Sequence, residues 1–327
     1  MKTVAYNSPF VPPEWIAAHG MQPDWMRLRA AGDRSPTGMG RGVCPFAGET
    51  ILAVVSGLQA TAVVVTTVCD QMRRAAELIE RDGQLPVFLM NVPSTWQTTA
   101  ADELYVAELE RLGRFFVQLG GEAPSNDKLA RVMLGYDRAR GALRAARAGL
   151  SARRFAEAVA GLRGGGTPAS ETAVGPPPAA GVPLALIGGP LPERHRGLLD
   201  LVERSGGRVV LDGTEGGERT MPLPFDREAA ADDPLGELAR AYFAGIPDVS
   251  RRPNDAFYQW LADQLEARQV RGILLRRYVW CDLWHAELHR LRQVSPVPVL
   301  DLDVDHEDNG SLARTAGRLE AFLEMLR

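Results

Sequence analysis

The sequence predicts an α/β protein of two Rossmann-like domains, each a doubly wound parallel sheet, with a helical insertion between them. Short β-branched apolar runs alternate with amphipathic stretches, the pattern of parallel strands joined by right-handed helical crossovers. The alternation breaks in a Gly-, Pro- and Ala-rich stretch at 164–182 and restarts beyond it. A chain of 327 residues also exceeds what one small core requires.

Residues 2–6 (KTVAY) read as a strand, and 13–19 as a helix whose first turn tolerates Pro13. The run 61–68 (TAVVVTTV) is almost wholly β-branched and suits a strand buried on both faces. Helical spacing over 70–82 leads to a second buried strand at 87–92 (VFLMNV). A long amphipathic helix spans 98–119, with Leu104, Val106, Leu109, Leu112 and Phe116 on its apolar face. Two further helices are expected at 126–149 and 151–163. After the break, strands are expected at 183–187, 208–211, 272–278 and 297–300. Helices are expected at 194–205, 234–244, 254–268, 282–291 and 312–326. The expected domains are 1–125, carrying Cys44 and Cys69, and 183–327, carrying Cys281, with the helical segment and linker 126–182 between them.

A net charge of −4 with scattered arginines offers no footprint for nucleic acid or an anionic membrane. Apolar runs such as 51–55 and 62–65 are too short to span a bilayer. The N-terminus MKTVAYNSPFVPPEW lacks the apolar run of a signal peptide, so a cytoplasmic location is expected. Three cysteines, an odd and small number, fit a reducing compartment better than a disulfide framework.

Two of those cysteines occupy matching places. Cys69-Asp70 and Cys281-Asp282 each follow a buried strand and precede a helix, where open α/β sheets gather ligands and a helix N-terminus favours the thiolate. Cys44, in GRGVCPFAG, opens another helix after a Gly-rich loop. Three thiolates from three such turns could converge between the domains and suit a soft metal centre. Four cysteines would close a [4Fe–4S] cluster; three leave one iron open. The alternative is three small buried apolar residues, since no C-x-x-C occurs.

The run Tyr6-Asn7-Ser8-Pro9-Phe10-Val11-Pro12-Pro13-Glu14, then Ala17-Ala18-His19-Gly20-Met21, resembles the opening of the 2-hydroxyacyl-CoA dehydratase / benzoyl-CoA reductase family. Cys69-Asp70-Gln71-Met72 and Asn91-Val92-Pro93 are similar to its second cysteine block and following strand. The similarity continues through Ile187-Gly188-Gly189-Pro190, Asp233-Pro234-Leu235, Cys281-Asp282 and the ending Gly317-Arg318-Leu319-Glu320-Ala321-Phe322. The resemblance implies that Cys44, Cys69 and Cys281 are the metal ligands of a [4Fe–4S] cofactor in a subunit resembling the D-component of 2-hydroxyglutaryl-CoA dehydratase. It implies an acyl-CoA substrate, a related second subunit (or a second copy, as a homodimer) and an ATP-dependent iron–sulfur activator. In the dehydratases one electron turns the thioester carbonyl into a ketyl radical anion that expels hydroxide, and loss of the acidified β-proton returns the electron. The reductases deliver electrons to an aromatic ring instead. The chain reads as lacking the N-terminal helical extension of many members, which leaves open a catalytic subunit and an electron-relay or scaffold subunit. A cluster-free α/β binding protein is the remaining alternative.

Ser8, directly after the first strand, is the catalytic candidate: its hydroxyl could bond an iron-bound water or the substrate carbonyl, or else only shape the turn before Pro9. His285 and His289, with Cys281, fall at i, i+4 and i+8 and could be read as a zinc site, though exposed helix histidines are commoner. His19, His195 and His306 have no partner in sequence. Glycines 38, 40 and 42, and Gly188-Gly189, lack the dinucleotide fingerprint; the second pair is a weak candidate for the CoA phosphates. Asp301, Asp303, Asp305 and Asp308 read as a solvated loop rather than a calcium loop.

Overall fold

The computed structural model describes residues 1–26, 28, 42–166, 180–305 and 311–327. The N-terminal half runs β1 (Thr3–Tyr6), α1 (Pro13–Ala18), β2 (Gln22–Trp25), α2 (Pro45–Val55), β3 (Ala62–Thr66), α3 (Asp70–Asp82), β4 (Val87–Met90) and α4 (Thr99–Gln118). Helices α5 (Asn126–Ala146) and α6 (Ala152–Arg163) follow. The C-terminal half then begins with β5 (Val182–Gly188), α7 (Gly197–Arg204), β6 (Gly207–Thr214), α8 (Arg227–Asp232) and α9 (Pro234–Ala239). It continues with α10 (Asp255–Ala267), β7 (Gly272–Tyr278), α11 (Asp282–Val294), β8 (Val299–Val304) and α12 (Ser311–Leu326).

The strands form two four-stranded sheets, ordered β2-β1-β3-β4 and β6-β5-β7-β8, and every pairing is parallel. The two halves therefore repeat one topology. Successive side chains on a strand face opposite ways, which requires helices on both faces when both are apolar. Val4, Tyr6 and Val64 join the core with α1 and α4, whereas Ala5, Val63 and Val65 join the core with α2 and α3. In the second sheet Leu184, Leu186 and Leu274 pack with α7 and α12, and Ala185, Ile187, Ile273 and Leu275 with α10 and α11. This is the doubly wound α/β architecture that the sequence predicts.

Helix α5 lies against α1, α8 and α9, while α6 lies against β2 and β6. Arg163, at the end of α6, joins the halves: its carbonyl accepts from the Tyr6 hydroxyl at 2.8 Å, and its guanidinium donates to the Glu215 carbonyl at 2.9 Å and to Thr220 Oγ1 at 2.6 Å. A second tie is fully buried. Glu14 on α1 pairs with Arg140 on α5, and its Oε2 accepts from the Tyr242 hydroxyl at 2.7 Å.

Several elements depart from the sequence expectation. Strand β2 (QPDW) carries a proline and polar residues, but it is an edge strand bonded only to β1, where a missing N–H is tolerated. Strand β6 runs on to Thr214 through an Asp-Gly pair that reads as a turn; the buried Asp212 carboxylate is satisfied locally by the Thr214 amide and hydroxyl. The helix expected at 234–244 is α9 followed by one wider turn, Arg240–Ala244. Asp301 and Asp303 are not in a solvated loop: both lie in β8, and Asp301 accepts a bidentate pair of 2.9 Å bonds from Arg277 of β7. Residues 38–41, 167–179 of the expected linker, His306 and Asp308 lie outside the described residues. No helix among the described residues is long and apolar enough to cross a membrane.

Candidate functional site

In an open α/β sheet, ligands collect beyond the strand C-termini where the strand order reverses. Here the reversals fall between β1 and β3 and between β5 and β7. The segments leaving those strands line a single cavity of about 640 Å³, a figure that includes its open mouth. Asn7 and Ser8 follow β1, Cys69 follows β3, Gly189 and Pro190 follow β5, and Cys281 follows β7. Cys44 enters from the start of α2 and Glu215 from the end of β6. All three cysteines and Ser8 thus stand around one space.

Each cysteine is the residue immediately before a helix, with extended backbone: Cys44 before α2, Cys69 before α3 and Cys281 before α11. A strand-to-helix corner sets the side chain at the strand's end, as at Cys69 after β3 and Cys281 after β7, whereas Cys44 is placed by the start of α2. Gln71 couples two corners, its Oε1 accepting a 2.7 Å bond from the Cys44 amide. Cys281 follows Trp280, whose left-handed backbone (φ 65°) costs about 1–2 kcal/mol in a non-glycine residue.

The expected thiolate character does not hold for the protein as it stands. Burial pushes the Cys69 and Cys281 thiols up to about 12 and raises Cys44 as well, outweighing the backbone amides of Met72, Trp284 and Ala47 that favour the anions. Each thiol is pushed further by the charge of Glu215, and Cys69 and Cys281 also by Cys44. Glu215 itself is raised well above the ordinary carboxylate range by burial and then by Asp248. Burial opposes ionisation of Asp248 too, but the Arg219 guanidinium beside it prevails and holds its carboxyl low. Glu215 and Asp248 both line the cavity, and neither is signalled by any sequence motif.

Ser8 is buried, and its Oγ accepts from the Phe10 amide at 3.4 Å, so it shapes its turn as well as facing the cavity. Beside it Asn7 Nδ2 donates to Thr50 Oγ1 at 3.1 Å, holding the β1 end to α2. The zinc reading fails on geometry: His285 and His289 are exposed on the surface, whereas Cys281 lines the cavity. Gly188 is explained by packing, since a Cβ there (φ 141°) would lie 1.8 Å from the Arg276 carbonyl oxygen, whereas Gly189 is under no such constraint. His19 Nδ1 bonds the Trp15 carbonyl at 2.8 Å inside the N-terminal core.

Among the described residues, no group of three or more His, Cys, Asp or Glu side chains is gathered tightly enough to hold a metal ion. The three cysteines border a cavity rather than a point. Two buried polar atoms in its lining, Thr66 Oγ1 and Trp284 Nε1, have no hydrogen-bond partner. Three soft donors and two unused donor groups match in kind what an iron–sulfur cluster takes: thiolate ligands, and hydrogen bonds to its sulfurs.

No curated protein matches the chain. Among solved structures, the solute-binding protein FpvC of Pseudomonas aeruginosa in complex with Mn2+ is aligned over 100% of this chain and 98% of its own. At 14% identity and a TM-score of 0.25, that alignment carries no likeness of fold or site. A family description does match almost end to end, over residues 9–326, a span that includes all three cysteines of the cavity. The chain belongs to the HGD-D family, 2-hydroxyglutaryl-CoA dehydratase, D-component.

Proposed function

We propose that this chain is the iron–sulfur subunit of a 2-hydroxyacyl-CoA dehydratase or a benzoyl-CoA-type reductase, with Cys44, Cys69 and Cys281 holding a [4Fe–4S] cluster. One observation carries the reading: all three cysteines line, with Ser8, one cavity at the switch points of both sheets. Bound there, the cluster would supply single electrons to an acyl-CoA thioester. Phe10, Phe46, Met72 and Leu283 give the cavity apolar walls. The Ser8 hydroxyl would orient the thioester carbonyl. A related second subunit, or a second copy of this chain, and an ATP-dependent activator complete the proposed system, in the cytoplasm where free thiols persist.

Thiolate ligation would release the thiol protons to solvent, so loading should weaken as pH falls. Anaerobic purification followed by iron and sulfide analysis tests the ligand set directly. About four irons per chain are expected, with Cys69→Ser losing them. Colourless, iron-free protein, or unchanged iron in the variant, would overturn the ligand assignment. Perturbation of the reduced cluster's EPR signal by acyl-CoA separates a catalytic subunit from a relay.

A further inference from the structure

A second cavity lies away from the cysteines, where the end of α5 and the start of α6 meet β6. Its volume is about 830 Å³, open mouth included. The guanidiniums of Arg144, Arg147, Arg208 and Arg268 line it, and no carboxylate is among its lining residues. Arg208 stands near the beginning of β6, whereas the cysteine cavity lies past the strand's other end. At about 3.3 Å per extended residue, the two places are about 20 Å apart.

Part of this charge serves the fold. Strand β6 is a sheet edge, and its outward carbonyls need donors. Arg147 donates to the Val209 carbonyl at 3.0 Å and Arg268 to that of Val210 at 2.5 Å. Both also bond the Glu218 carboxylate, and Arg144 donates to the Pro222 carbonyl at 2.6 Å. Arg208 is not accounted for in this way. Its side chain is half-buried, its Nε is buried without a partner, and it forms no ion pair among the described residues. One carboxylate shared by two of four guanidiniums leaves three positive charges around one space. Gathered cations repel, and a multiply charged anion relieves that repulsion. The first residue of α6, Ala152, lines the same space, and no acid in that helix's first turn offsets its positive end.

We propose that this cavity binds a pyrophosphate group, at a site separate from the cysteine cavity and independent of the cluster reading. A guanidinium fork matches the paired oxygens of a phosphate. Three of the four forks are already held by the protein, so binding has little left to order. Buried Leu150 and Val209 give the cavity an apolar wall for whatever carries the group. Two carriers share this chemistry: a nucleoside di- or triphosphate, and coenzyme A.

The test uses the full chain, titrated calorimetrically with inorganic pyrophosphate at an ionic strength held constant with chloride. Saturable binding at one site per chain is expected, with a rise in the thermal midpoint. Arg208→Gln removes a side chain without an internal ion pair, so the ligand-free variant should melt as wild type does. Its affinity for pyrophosphate should fall about tenfold or more, and that of Arg144→Gln likewise. Displacement of pyrophosphate by ATP would identify a nucleotide as the carrier and displacement by coenzyme A the coenzyme; either supports the site. Absence of saturable binding, or equal affinity in wild type, Arg208→Gln and Arg144→Gln, would overturn it.

Discussion

Arg276 donates a 2.7 Å hydrogen bond from Nη2 to Nδ1 of His195. Arginine is always a donor, so this bond assigns the acceptor role to Nδ1 and the proton of the neutral ring to Nε2. The guanidinium is buried within β7, also donates to the Pro190 carbonyl at 2.8 Å, and lies over the Tyr278 ring at the edge of the cavity. Protonating His195 would set two cations face to face.

The pH dependence follows. Burial, then Arg276 and Arg194, push His195 down to about 2 from an ordinary 6.5. A depressed folded-state pKa contributes stability that is complete above the unfolded value and is lost as pH falls below it. The window runs downward from pH 6.5, at about 1.4 kcal/mol per pH unit. Urea denaturation at pH 6.5 and pH 5 should therefore show a loss of about 2 kcal/mol from this residue. In His195→Asn, whose side-chain oxygen can still accept from Arg276, that component should vanish. An equal loss in the variant would contradict the assignment.

Glu14 is predicted to be a structural anchor despite standing within the motif-like opening of the chain. Glu14→Gln leaves the buried Arg140 guanidinium with only Asp137, 3.9 Å away, as counter-charge. Breaking a buried pair from one side costs about 3–5 kcal/mol, and the urea midpoint should fall accordingly. A change below 1 kcal/mol would show that the pair contributes little.

Gly188 and Gly189 should behave differently although they are adjacent. Gly188→Ala drives a methyl against the β7 backbone and should destabilise by about 1–3 kcal/mol, at the upper end because the obstacle is backbone rather than side chain. Around Gly189 a Cβ would meet nothing nearer than 3.7 Å, so Gly189→Ala should leave the thermal midpoint nearly unchanged. Equal effects would mean that packing does not explain Gly188.

Ser8→Ala tests the one proposed substrate-orienting hydroxyl. Iron content and the resting spectrum should match wild type, while turnover with acyl-CoA falls roughly 10–100-fold, the usual effect of removing a group that positions a metal site's ligands. If the cluster itself is lost, Ser8 serves the fold of the β1 turn.

Much of the frame was legible in one dimension because burial on both faces leaves an unmistakable pattern. The β-branched run of β3 and the apolar core of β5 and β7 announce fully covered parallel strands, and the corner after such a strand is where Cys69 and Cys281 stand. Edge strand β2 and the ends of β6 and β8 were not legible. Their proline and aspartates are acceptable only because of a free edge, a local Asp212–Thr214 contact and the Arg277 partner.

By itself the sequence determined the two-sheet class and the placing of each cysteine at a helix start, since both follow from local periodicity. Only the tertiary structure decided that those three helix starts line one cavity, that His285 and His289 turn away, and that Glu215 lines the same cavity. Residues 44, 69, 215 and 281 are distant along the chain, and no local propensity encodes their meeting. It arises from two like sheets joined through α6, which lies against β2 of one and β6 of the other, so that the segments leaving the strands of both line one cavity.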